Sequence, residues 1–191
     1  CFIPFKTSEN IEKDFLKVNN SIQIAKEIGF KDSNIICSVE GNQEFIKLFN
    51  NSVFKRDINN HESQYSMRDI LLNINNFCEG RELFFDDILL LEPNYINRKA
   101  STIKRLIENF YQSPLPIAMI KLPIKPHIWK TTQSKTIRLD TYELYKNYQE
   151  KIILSMRGLG MIIKISQLRK KDWLDYDIEF VEPESIFIGY S

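Results

Sequence analysis

The sequence is poor in the residues that mark several common kinds of functional site. Only six glycines occur in 191 residues, and the polar turns lack the glycine-rich pattern of a Walker-type phosphate loop. The three cysteines, Cys1, Cys37 and Cys78, have neither C-x-x-C nor metal-ligand spacing, so the sequence indicates neither a disulfide framework nor a zinc site. His61 and His127 are the only histidines and no serine lies in a G-x-S-x-G elbow, which leaves no hydrolase pattern.

A strong net charge and a long apolar run are also missing. Lys and Arg number 26 against 25 Asp and Glu, so no overall field attracts nucleic acid or an anionic membrane, and neither is expected as a partner. No apolar stretch approaches the roughly 20 residues that span a bilayer, and no basic segment followed by an apolar one opens the chain. These absences predict a soluble, cytoplasmic protein. The start at Cys1 and the end at Ser191, directly after an apolar run, are typical of an excerpt from a longer chain.

What the sequence does contain is a series of apolar strands that alternate with amphipathic helices. A content of 43% hydrophobic residues in this length favours one domain, spanning 1–191. Short apolar runs predict strands at 2–5, 35–38, 88–91, 117–122, 161–165, 178–181 and 186–188. Helical spacing of apolar residues predicts helices around 18–28, 45–49, 67–77, 101–110 and 141–153, the first of them ended by Gly29. This order predicts an α/β fold, a three-layer sandwich with a mainly parallel sheet.

Two stretches interrupt the alternation. Residues 50–65 have weak periodicity and many turn formers, which predicts an exposed excursion or flap. The segment that contains Pro123 and Pro126 cannot form a central strand, because proline removes a ladder hydrogen bond. From there to Asp140 we expect a loop or an antiparallel edge arm.

Residues 86–110 predict where a ligand site lies. Ile88 to Leu91 are apolar on both alternating faces, as in a strand covered on two sides, and Pro93 ends the ladder. Ser101 is a predicted cap for a helix with an apolar stripe at 103, 106, 107 and 110. In open α/β sheets, ligands bind at such junctions at the carboxyl ends of strands. A plain connection between strand and helix has the same local pattern.

Other polar segments offer candidate ligands. Lys6, Thr7, Ser8 and Lys13 lie in the loop before the first helix and are suited to phosphate oxygens, although a solvated turn has the same residue types. The carboxylates at 172, 175 and 177 are dense enough for Mg²⁺, but their alternation with apolar residues favours a solvated face. Asp86 and Asp87 precede their strand, so they fall at the opposite edge of the sheet and are interpreted as structural.

The order of these motifs resembles the N-acylneuraminate cytidylyltransferase (CMP-sialic acid synthetase) family almost from end to end. Residues 88–98, ILLLEPNYINR, are similar to the family's strand and loop "LLLQPTSPLR", with Glu92 in place of glutamine and Arg98 at the loop arginine. Residues 2–14 resemble its first strand and nucleotide loop, with Lys6 replacing an arginine and Lys13 matching a lysine. VFKRD is similar to "FxRP", with Arg56 matching, and RGLGMIIKISQL is similar to "NGAIYIFRREDL".

This resemblance implies a nucleotide-diphospho-sugar transferase fold of the GT-A-like type and a defined reaction. A cytidylyl group would pass from CTP to a hydroxyl of an acidic, sialic-acid-like sugar, with Mg²⁺ and release of pyrophosphate, for surface glycan synthesis. The resemblance assigns catalytic roles to Lys6 and Lys13 and nucleotide contacts to Ser8, Arg56, Glu92 and Arg98. Members of the family often pair as dimers, so it also implies a homodimer.

Two departures favour an alternative function. The family's metal-binding "DID" falls about where this chain has residues 187–189, FIG, and the first loop has lost its glycines. Glycine permits close approach of backbone to phosphate, so its loss weakens that interaction. The alternatives are therefore a catalytically inactive relative that binds nucleotide or a partner protein, and a general α/β interaction domain.

Overall fold

The computed structural model describes residues 1–40, 43–49, 52–55, 66–121, 129–131, 136–138, 157–170 and 178–183. Within these ranges, strands and helices alternate over most of the chain. The strands are β1 (Phe2–Lys6), β2 (Ile36–Glu40), β3 (Ser52–Lys55), β4 (Asp87–Leu90), β5 (Ile117–Ile120), β6 (Trp129–Thr131), β7 (Thr136–Arg138), β8 (Met161–Lys164) and β9 (Glu179–Val181). The helices are α1 (Ile11–Glu27), α2 (Gln43–Lys47), α3 (Met67–Glu79), α4 (Ala100–Gln112) and α5 (Ile165–Leu168).

Seven of the described strands form one sheet in the order β3-β2-β1-β4-β8-β5-β9. β8 runs antiparallel to β4 and β5, and the other neighbouring pairs are parallel. The predicted mainly parallel α/β sheet is therefore confirmed. β6 and β7 form a separate antiparallel pair inside the segment that was predicted as a loop or an edge arm.

Both faces of the sheet are covered, which makes the molecule a three-layer sandwich. β4 and the residue that follows it show the arrangement: Leu89 and Leu91 pack in the same cluster as the apolar stripes of α1 and α4, while Ile88 and Leu90 pack with α3 and α5. All four side chains are at most 4% exposed. A strand buried on both faces needs this continuous apolar run, as the sequence predicted.

Two local predictions are wrong. Residues 52–55 were placed in an exposed excursion, but they form β3, which pairs in parallel with β2 at the end of the sheet order. A four-residue strand that is held by one neighbour carries too little periodicity to detect. Ser101 was predicted to cap α4, but the helix begins at Ala100 with Lys99 at the cap position, so Ser101 lies within the first turn. The predicted helix at 141–153 and strand at 186–188 lie outside the described residues.

β1 and β4 are neighbours at the point where the strand order changes direction. β1 pairs with β2 along its whole length but with β4 only at Phe2 and Leu90, beside a hydrogen bond of 3.1 Å from Leu91 N to Phe2 O. Successive residues of a strand direct their backbone groups to opposite neighbours, so Pro4 is the next residue that faces β4. Proline has no N–H, and the ladder stops there. The two strands are therefore no longer paired toward their carboxyl ends, and the sheet is open between them there.

Candidate functional site

The space outside the carboxyl ends of β1 and β4, here called the β1–β4 crevice, is bordered by two loops. The first loop (residues 7–10) leads from β1 into α1, and the second loop (residues 91–99) leads from β4 into α4. A crevice at this position in an open α/β sheet is the general location of ligand sites. The predicted site residues on these two loops therefore lie at the same edge of the sheet.

The first loop is held mainly by contacts within the protein. Lys6 lies 3.0 Å from Glu40 across β1 and β2, measured from Nζ to Oε1, and its side chain is 73% exposed. Thr7 N donates to Glu40 O over 2.9 Å. Lys6 thus remains accessible, with part of its charge balanced by Glu40.

A buried carboxylate fixes the path of this loop into α1. Asp14 is 2% exposed and accepts hydrogen bonds from the backbone N–H of Ser8 and, over 3.1 Å, from the Ser8 hydroxyl. Asn10 caps the helix by accepting from Lys13 N over 3.0 Å. The Lys13 side chain is exposed on the first turn of α1. A cation beside a helix N-terminus is a suitable contact for a phosphate group.

The second loop is held by a buried arginine. Arg98 is 5% exposed, and its guanidinium donates to the carbonyl oxygens of Glu92 over 2.6 Å and Gly158 over 2.9 Å, and to the Ser21 hydroxyl over 3.3 Å. Burial lowers the pKa of Arg98 to about 10, opposed by the nearby Glu92, so it is charged at neutral pH. The guanidinium therefore joins the second loop to α1 and to the segment before β8. Its predicted contact with the triphosphate stays a prediction.

The antiparallel direction of β8 brings a further cation to the crevice. The start of β8 lies beside the end of β4, where Glu92 N donates to Gly158 O over 2.9 Å. Arg157 is 39% exposed, and its Nε lies 3.6 Å from Glu92 Oε1. A Cβ added to Gly158 would lie 2.5 Å from the Glu92 carboxyl carbon and 2.6 Å from a ring carbon of Tyr95, so this contact requires glycine.

The sequence predicted most of the candidate site residues at this edge of the sheet, but three of them were missed. Lys6, Ser8 and Lys13 come together with the loop that carries Glu92 and Arg98. Arg56, both histidines and the carboxylates at 172, 175 and 177 lie outside the described residues. Asp87 begins β4 at the opposite edge of the sheet.

The three residues that were missed are Asp14, Arg157 and Gly158. Asp14 had a signal, because it lies on the same helical stripe as the buried Val18 and Ile22. The contacts of Arg157 and Gly158 depend on which strand β8 pairs with, which local sequence does not state.

The described residues do not supply a complete metal site. None of their His, Cys, Asp and Glu side chains form a group of three or more that could hold a metal ion. Asp14 binds Ser8, Glu40 pairs with Lys6, and Glu92 lies beside Arg157. Mg²⁺ is commonly held by one or two carboxylates together with substrate phosphates, so its expected role stays a prediction.

Comparison with solved structures identifies the type of fold. A CMP:2-keto-3-deoxy-manno-octonic acid synthetase complexed with CTP superposes with a TM-score of 0.63 at 11% identity, over 95% of this chain and 88% of that chain. A 4-diphosphocytidyl-2C-methyl-D-erythritol synthase gives a TM-score of 0.68 at 12% identity, over 96% and 87%.

The fold is of the nucleotidyltransferase type. A 4-diphosphocytidyl-2C-methyl-D-erythritol synthase from Anaerococcus prevotii DSM 20548 gives a TM-score of 0.58 at 7% identity, over 96% of this chain and 87% of that chain. No protein-family model matches the sequence, and no curated protein matches it. In the part of the chain that the structure describes, no helix is both long and apolar enough to cross a membrane.

Proposed function

We propose that the chain is a divergent cytidylyltransferase that binds CTP in the β1–β4 crevice. The observation that carries this proposal is the opening of the sheet between β1 and β4, at the change in strand direction, with Lys6 and Lys13 on one side and Glu92 on the other. The similar structures carry the names of enzymes with cytidine nucleotide products, and one of them is complexed with CTP. These names support cytosine as the base.

The proposed reaction is transfer of a cytidylyl group to an acceptor hydroxyl. The hydroxyl oxygen forms a bond to the α-phosphorus, the bond between the α- and β-phosphates breaks, pyrophosphate leaves with the electron pair, and the hydroxyl proton passes to solvent. Lys6 and Lys13 would offset the charge that develops on the phosphates. Mg²⁺ would accompany the triphosphate, as proposed from the family resemblance.

An acidic sugar is the proposed acceptor, and Arg157 supplies the reason. Its side chain is partly exposed and stands beside Glu92 at the crevice, where we expect the acceptor to lie. A guanidinium binds a carboxylate with two parallel hydrogen bonds, which gives both charge balance and orientation. A sialic-acid-like sugar or 2-keto-3-deoxy-manno-octonic acid carries that carboxylate. The proposal also includes use of the product in surface glycans. It includes a homodimeric assembly as well.

Calorimetry and pyrophosphate release test the two steps separately. We expect CTP to bind in the presence of Mg²⁺ and Lys13→Ala to weaken binding by on the order of tenfold, since a charged contact is lost. Lys164→Ala is the matched control, because Lys164 is exposed at the opposite edge of the sheet. Arg157→Gln should raise KM for the acidic sugar and leave CTP affinity unchanged.

Two outcomes would count against the proposal. Absence of CTP binding would refute it. Pyrophosphate release with a methylerythritol phosphate acceptor, and none with any acidic sugar, would replace the acceptor while keeping the transfer reaction.

A relative that binds nucleotide without transferring it is the second candidate. It is favoured by the first loop, where the N–H groups of Thr7, Ser8 and Asn10 donate within the protein. Those donors would have to exchange partners before they could bind phosphate. Binding of CTP and CMP with equal affinity, without pyrophosphate release from any acceptor, would establish this second function.

A further inference from the structure

A second concave site lies at the opposite edge of the sheet from the β1–β4 crevice. This amino-edge cavity has a volume of about 430 Å³, within the range of about 300–1,000 Å³ that is typical of small-molecule sites. Leu89 of β4 and Ile162 of β8, both nearly fully buried, are continuous with the apolar core beneath it. Ile107 of α4 and Phe30 add apolar walls. An apolar group of ring size could contact these side chains there.

The two charged residues that line the amino-edge cavity, Asp87 and Lys31, have opposite charges. The Asp87 carboxylate accepts a hydrogen bond of 3.2 Å from the Tyr111 hydroxyl, and burial raises the pKa of Asp87. Lys31 also lines the cavity, and its side chain is exposed. The turn that ends α1 delivers this lysine, because Gly29 has a φ of 105° and reverses the chain directly before Phe30 and Lys31.

We propose that the amino-edge cavity binds a small zwitterion with an apolar body, such as an aromatic amino acid, with its ammonium at Asp87 and its carboxylate at Lys31. Charge complementarity supports this class of ligand. An apolar cation would match only Asp87 and an apolar anion only Lys31, whereas a zwitterion matches both charges. This inference is independent of the nucleotide proposal, because the two sites lie at opposite ends of β4.

Three probes with one phenyl body test the charge assignment. L-Phenylalanine carries both charges, phenethylamine only the positive one and 3-phenylpropanoate only the negative one. Titration by NMR should give phenylalanine the lowest Kd. Asp87→Asn should raise Kd about tenfold for phenylalanine and phenethylamine, since one charge-assisted contact is lost, and it should not raise Kd for 3-phenylpropanoate. Lys31→Gln should raise Kd for phenylalanine and 3-phenylpropanoate only.

The controls separate loss of the site from loss of the fold. Lys104→Gln changes an exposed lysine on α4 and should alter no affinity. Ile107→Trp fills the cavity and should abolish binding of all three probes, while CTP affinity stays unchanged because the β1–β4 crevice is intact. Absence of phenylalanine binding at millimolar concentration overturns the inference. It is also overturned if another probe binds more tightly, or if phenylalanine affinity survives both charge substitutions.

Discussion

At the scale of single residues, Arg98 determines the shape of the second loop. Its guanidinium donates to the carbonyl oxygen of Glu92, which is 6 residues away in the chain, and to that of Gly158, which is 60 residues away. Carbonyl groups at the end of a strand need donors when they are buried, and a guanidinium supplies several from one side chain. The same residue resembles the loop arginine of the cytidylyltransferases, for which the sequence predicted a triphosphate contact. The two roles predict different effects of substitution.

We expect Arg98→Ala to lower the free energy of unfolding by about 2–4 kcal/mol, because the carbonyl oxygens of Glu92 and Gly158 lose charge-assisted hydrogen bonds. Lys99→Ala is the matched control, since Lys99 is the adjacent exposed cation, and it should change stability by no more than about 0.5 kcal/mol. Denaturant unfolding measures both. If Arg98→Ala left stability unchanged and weakened only CTP binding, Arg98 would be a nucleotide ligand and the structural role would be wrong.

At the scale of elements, the start of α1 is set by a buried carboxylate as well as by its cap. Asp14 contacts both the backbone N–H and the hydroxyl of Ser8, so the first loop folds back against the first turn of the helix. This arrangement stands where glycines permit a phosphate-binding turn in the family that the sequence resembles. The helix and its loop therefore form one unit, and the side chain of Lys13 is presented from it.

Asp14→Ala should lower the free energy of unfolding by about 1–3 kcal/mol, because the Ser8 donors lose their buried acceptor. It should also weaken CTP binding, since the first loop would no longer be held beside the crevice. Glu12→Ala is the control in the same turn: Glu12 is exposed, and we expect both quantities to stay nearly constant. Equal effects of the two substitutions in thermal unfolding and calorimetry would contradict the role given to Asp14.

Elements with strong local patterns were predictable, and those fixed by distant partners were not. The apolar run of β4 and the stripe of α4 each carry enough periodicity to predict a buried strand and an amphipathic helix. β3 has four residues and exists through its pairing with β2, so its own sequence favoured a turn. The start of α4 at Ala100 comes directly after the loop that Arg98 anchors to Gly158. The local sequence has no cap signal that encodes this contact.

At the scale of the whole molecule, strand order places the candidate site. The sequence predicted an α/β sandwich and a ligand site after β4, because strands that alternate with helices run parallel and bring their following loops to one edge. It did not predict that β1 is the neighbour of β4, that Pro4 opens the sheet between them, or that β8 runs antiparallel and brings Arg157 to the same edge. These features depend on contacts between segments that are far apart in the chain.

The central claim is that CTP occupies the β1–β4 crevice, and a crystal structure of the protein with CTP and Mg²⁺ tests it most directly. The account predicts electron density for the triphosphate between the first turn of α1, with Lys13, and the loop that carries Glu92, with Arg157 facing the free space beside the α-phosphate. An empty crevice at a saturating CTP concentration, or nucleotide bound only at the amino edge of the sheet, would contradict it.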